Sequence, residues 1–161
     1  MHSRSVRLIF AAVLLALSAS VRAQSPDPKG DQTHGMKATS AATLVWNDLV
    51  VPGFAPGTKI AAIAGDPAVA DQPYTLRLRF PDGYRFPAHW HPKAENLTVM
   101  SGTFLLSMGG KEGGPYTQYA PGDYLLIPPT MPHSGGATGE TVIQLHGIGP
   151  FEIKLVNPVK Q

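Results

Sequence analysis

No cysteine occurs in the 161 residues. Disulfide staples, thiolate metal ligands and cysteine nucleophiles are thereby excluded, and stability has to come from the core. Charge is scarce as well, at 15% of residues, and no block of like charge marks a nucleic-acid-binding surface. An apolar stripe of helical period is missing too. The Ala-rich stretch Ala61–Ala70 is broken by Gly65 and Pro67, so at most one short helix is expected, at Pro67–Asp71 or near Asp48. No Ser/His/Asp constellation stands out. The glycines of Gly109–Gly114 lack the spacing and the following helix of a phosphate-cradling loop and are expected to form a hairpin loop.

The first 23 residues carry the one long apolar run. Arg4 and Arg7 precede Leu8–Ser20, which at 13 residues is short for a bilayer span of about 20, and Val21-Arg22-Ala23 follows with small residues at the −3 and −1 positions. This pattern predicts a secretory signal peptide cleaved after Ala23, hence an exported, periplasmic or secreted bacterial protein with no membrane association after cleavage. Losing Arg4, Arg7 and Arg22 leaves ten basic residues against eleven acidic ones, so the formal charge of +2 becomes about −1. Neither nucleic acid nor an anionic membrane is expected as a partner. Residues 24–41 read as a flexible leader, 42–157 as one folded domain and 158–161 as a tail.

Seventeen glycines and sixteen prolines punctuate the chain and imply many turns between short strands. Runs at Thr43–Trp46, Thr58–Ala64, Tyr74–Phe80, Tyr84–His91, Asn96–Met100, Thr103–Met108, Tyr116–Tyr119, Tyr124–Ile127, Thr141–Gly147 and Phe151–Val156 are candidate strands. In Tyr74–Phe80, Tyr74, Leu76, Leu78 and Phe80 alternate with Thr75, Arg77 and Arg79. That is the pattern of a half-buried strand with Arg77 and Arg79 on its solvated face. Ten or so such strands predict an all-β sandwich or barrel.

His89-Trp90-His91 puts two imidazoles on one face of a strand, with Tyr84, Phe86, Ala88 and Trp90 facing the other way. Pro92-Lys93-Ala94 is a tight connection, after which Glu95 can return to the pair. His133 follows Pro128-Pro129-Thr130-Met131-Pro132, a stiff, non-helical approach. Together His89, His91, Glu95 and His133 make a four-ligand set for one divalent transition metal, Mn, Fe, Ni, Cu or Zn, with coordination positions left for a small molecule.

These residues resemble the motifs of the cupin superfamily. The first motif, G-x5-H-x-H-x3,4-E-x6-G, is met by Gly83, His89, His91, Glu95 and Gly102. The second is met by Gly122, Pro128 and His133, whereas Thr130 and Ala137 stand where the family has glycine and asparagine. Thr resists positive φ, which leaves the backbone of that turn open. The resemblance implies a single-domain cupin double-stranded β-helix, a jelly-roll β-barrel. It also implies a metal held by the same four residues, a small-molecule ligand or substrate, and a homodimer. Gly102 is expected to turn one ligand-bearing strand into the next.

Similar cupins are dioxygenases, isomerases, decarboxylases and lyases, or bind ligands without chemistry. Two readings follow: a metal-dependent enzyme, with a dioxygenase-like oxidoreductase preferred, and a non-catalytic binding or sensing module. Glu95 is a candidate base by that resemblance. Gln144 and His146 would contact substrate, with His146 as acid or base, if they point inward; the opposite register puts Ile143 and Leu145 inside instead. Phe104 and Tyr124 are candidate pocket wall. Asn96-Leu97-Thr98 matches a glycosylation sequon but falls inside a ligand-bearing strand.

Overall fold

Strict alternation in Pro73–Phe80 sets the inside and outside of the molecule. Tyr74, Leu76, Leu78 and Phe80 are buried, while Thr75, Arg77 and Arg79 are only partly covered. On the outer side the Arg79 guanidinium lies 4.0 Å from the centre of the Trp46 ring. The computed structural model describes residues 36–111 and 113–157. Its strands are β1 (Asn47–Asp48), β2 (Lys59–Ala64), β3 (Pro73–Phe80), β4 (Arg85–Trp90), β5 (Glu95–Met108), β6 (Thr117–Tyr119), β7 (Tyr124–Ile127), β8 (His133–Ile148) and β9 (Lys154–Leu155).

All nine belong to one antiparallel sheet of order β1-β2-β3-β8-β4-β9, with β5 pairing β6, β7 and β8. Strand β8 is the hub. Its first residues pair with β4, its last eight with β3, and most of the stretch from His133 to His146 with β5. A strand that changes partners along its length has to bend, and the bend curls the sheet into a jelly-roll barrel. The interior is filled by Leu76, Leu97, Val99, Ile143 and Leu145, each at most 1–2% exposed. Burying each such side chain stabilises the fold by about 1.5–3 kcal/mol.

Three local expectations fail. Thr43–Trp46 forms no strand; Ser40 caps a single 3₁₀ turn at Ala41–Thr43, its Oγ accepting from Ala42 N at 3.3 Å. Neither Pro67–Asp71 nor the region of Asp48 is helical. Asp66 Oδ1 instead accepts from Ala68 N at 2.8 Å and holds a turn. Gly102 does not separate two strands, because β5 runs through it. The register against β8 shifts on both sides of Ser101, and Gly102 adopts φ 76°. A Cβ there would overlap Thr141 Oγ1 and the Glu140 carbonyl, and Thr141 Oγ1 in turn accepts from Thr103 N at 3.1 Å.

Gly102→Ala is therefore expected to cost about 2 kcal/mol or more, from the left-handed backbone and the overlap together. Equilibrium urea unfolding measures it; an unchanged midpoint would refute the account.

Candidate metal centre

Strand β4 delivers His89 and leads directly into His91, and it is irregular just before His89. Phe86 pairs with Gly135 and His89 with His133, so β4 carries one residue more than β8 between these pairs. Pro87 lies in the extra stretch and has no N–H for the ladder. The bulge changes the parity expected of an unbroken strand: Phe86 and His89 face the same cavity, with ring centres 5.4 Å apart. This corrects the expectation that Phe86 points away from the histidines. His91 follows β4 at the turn, Glu95 opens β5, and His133 opens β8 directly opposite His89. Thr130 takes φ 60°, the conformation its glycine counterpart would adopt freely. Its N–H donates to the His91 carbonyl at 2.8 Å, which ties the turn before His133 to the turn after His91.

His89, His91, Glu95 and His133 are 5%, 5%, 7% and 2% exposed. Each histidine has its Nδ1 on a backbone carbonyl: His89 on Pro87 at 2.9 Å, His91 on Glu152 at 2.7 Å and His133 on Met131 at 3.1 Å. A carbonyl only accepts, so each Nδ1 carries the proton and each Nε2 presents a lone pair. The three rings offer ligand atoms all within 4.8 Å of one another. Glu95 Oε2 lies 3.5 Å from Nε2 of both His91 and His133. Glu95 is outside the mutually close group of three and sits on its His91/His133 side.

Burial pushes His89 down to about 3, assisted by neighbouring His133 and opposed by the Pro87 carbonyl. Burial likewise lowers His91 and His133. Burial raises Glu95, with His133 opposing. His91 Nε2 and Glu95 Oε2 have no hydrogen-bond partner. Buried lone pairs facing one another without a donor are costly, and a cation among them supplies what they lack. The donor set of imidazole nitrogen and carboxylate oxygen fits a divalent transition metal, and the Nδ1 carbonyl contacts are the outer partners that orient ligating histidines.

The cluster lines a small, partly open cavity of about 40 Å³. Its wall is mostly apolar and aromatic. Phe86 and Phe104 stack with centres 6.0 Å apart, Phe54 meets His89 edge-on at 5.3 Å, and Phe151 stacks on His91 at 5.0 Å. Phe104 lines the cavity. Gln144, His146 and Tyr124 do not. Strand β8 puts Ile143 and Leu145 inside, and the two-residue period sends Gln144 and His146 to the other face. Gln144 Oε1 there accepts from Arg77 Nε at 3.1 Å. Tyr124 is 56% exposed, its hydroxyl donates to Asn96 Oδ1 at 2.7 Å, and its ring stacks beside His146. Phe54 and Phe151 were missed because they lie outside regular strands. The one signal was a large aromatic next to turn formers, in Pro52-Gly53-Phe54 and Gly149-Pro150-Phe151.

The buried neutral histidines fix a pH dependence for the metal-free protein. The unfolded chain protonates His89 near 6.5, whereas the folded chain does so only near 3. Stability from neutral His89 is thus present above 6.5 and is lost as pH falls toward 3. Glu95 has the opposite sign, since a raised carboxyl loses stability as pH rises above 4.5. Comparison with His89→Phe isolates the histidine. Between pH 7 and pH 5 the chelated wild type should lose roughly 2 kcal/mol relative to that variant. Parallel stability curves in denaturant titrations would contradict it.

The cupin domain family matches residues 76–148. Comparison with curated proteins by sequence gives no match. Among solved structures, the chain is similar to the polyketide cyclase RemF from Streptomyces resistomycificus. The TM-score is 0.65 at 19% identity, over 78% of this chain and 88% of that one. It is similar as well to a cupin 2 conserved barrel domain protein from Rhodopseudomonas palustris, with TM-score 0.57 at 15% identity over 71% and 79%. An RmlC-like cupin from Shewanella frigidimarina gives 0.53 at 16% identity over 67% and 86%. These likenesses concern the fold. With the histidine triad standing where the family motif has it, residues 76–148 form a cupin domain.

Proposed function

We propose that the chain is an exported, metal-dependent enzyme for an apolar small molecule, with His89, His91, Glu95 and His133 holding one divalent transition metal. The observation that carries this reading is the inward set of three imidazole lone pairs and a carboxylate, two of whose atoms have no protein partner, at the end of an aromatic cavity. A metal bound there supplies Lewis acidity and open coordination positions for oxygen atoms. The chain's own groups do the rest. Backbone carbonyls keep the imidazoles in one tautomer, and the phenyl rings exclude water and receive the substrate's apolar body. Glu95, its carboxyl pushed up by burial, is the candidate base beside the imidazoles. Export rests on the charge, length and small-residue pattern of residues 1–23, which lie outside the described residues.

Protein recovered from the exported fraction should begin at Gln24 and carry about one metal ion per chain by elemental analysis. His91→Ala should weaken metal retention by about 100-fold or more, since loss of an outer partner alone costs 10–100-fold. Full occupancy in that variant would remove the site assignment.

Within metal-dependent enzymes, the dioxygenase-like reading is the one to test first, because the apolar, partly closed cavity favours chemistry over a solvated binding groove. Protein loaded separately with Fe(II), Mn(II), Ni(II), Cu(II) or Zn(II) should consume oxygen with at least one catechol, flavonol or diketone. Metal-loaded protein that binds such compounds without turnover would favour the binding-module reading.

A further inference from the structure

The cavity contains a second polar feature, away from the histidines. Thr58 is 3% exposed, lines the cavity, and its hydroxyl has no hydrogen-bond partner. Its backbone is settled, with the carbonyl accepting from Leu49 N at 2.9 Å. Three other buried hydroxyls are satisfied. Tyr84, on the same wall, donates to the Ala55 carbonyl at 2.6 Å, Ser134 to the Lys111 carbonyl at 3.1 Å and Thr141 to the Thr103 carbonyl at 3.2 Å. A buried hydroxyl that faces a cavity and has no protein partner calls for an outside one.

Its position says what kind of partner. Lys59 pairs with Arg79, so Thr58 continues the register to Phe80. Phe80 is linked to the histidines through Phe86, with ring centres 5.9 Å from Phe80 to Phe86 and 5.4 Å from Phe86 to His89. Aromatic wall thus separates the Thr58 hydroxyl from the imidazole cluster. We propose that Thr58 is the second polar anchor of the cavity. Its hydroxyl bonds an oxygen function of a ring-bearing ligand whose apolar body lies along Phe80, Phe86 and Phe104 and whose other end meets the histidine cluster. This deepens the small-molecule reading above and rests on it. The ligand class is a compact aromatic or ring compound carrying oxygen at two separated positions.

Two probes separate the anchor from the pocket: 2,6-dihydroxynaphthalene, with oxygen at both ends, and 2-naphthol, with one. Titration calorimetry on the full, metal-replete chain should give about tenfold tighter binding of the diol. Thr58→Val keeps the shape and removes the hydroxyl; it should bind both probes with about the affinity of 2-naphthol. Thr58→Ser should keep the preference and serves as the control if the valine variant folds poorly. A diol preference that survives Thr58→Val, or no preference in the wild type, overturns the anchor and leaves the small-molecule reading standing. Binding of neither probe overturns both.

Discussion

Each imidazole at the centre is fixed from behind. Three backbone carbonyls, of Pro87, Met131 and Glu152, hold the Nδ1 protons of His89, His133 and His91. These contacts choose the tautomer, and the tautomer decides that lone pairs rather than protons face the cavity. The carbonyls come from β4, from the turn before β8, and from the segment before β9. The electronic character of the site therefore depends on three separate stretches of chain meeting correctly.

The sheet is built to make them meet. Strand β8 begins at His133 opposite His89, and β5 begins at Glu95 beside β7. Starting a strand on a functional residue places it at the rim of the barrel, where side chains still face inward but the ladder has only begun. Thr130 shows the strain accepted for this. It holds a left-handed conformation, which costs a β-branched residue of order 1–3 kcal/mol, and its N–H secures the His91 carbonyl. The turn that presents His133 and the turn that follows His91 are thereby one unit.

The cavity follows from the same irregularities. Without the extra residue around Pro87, Phe86 would leave the wall and the centre would open on a different surface. With it, Phe86 joins Phe54, Phe80 and Phe104 in a mostly apolar chamber whose unpartnered polar atoms are on His91, Glu95 and Thr58. Low polarity strengthens electrostatic interactions inside and makes every unpartnered polar atom informative.

Sequence alone determined the all-β class and the interior face of β3, and it named the residues of the candidate centre. Periods of two, turn residues and fixed motif spacing are local properties, readable without knowing what packs where. Tertiary structure decided the rest. The parity of β8 placed Ile143 and Leu145 inside and turned Gln144 and His146 away, because register is set by the partner strand and two opposite phases fit the same run of residues. Tyr124 left the pocket for the outer face by the same logic, and Phe86 entered it through a bulge no alternation rule anticipates. Phe54, Phe151 and Thr58 joined the site from positions 35, 62 and 31 residues away from His89, since a cavity wall is assembled by folding and leaves no spacing in the chain.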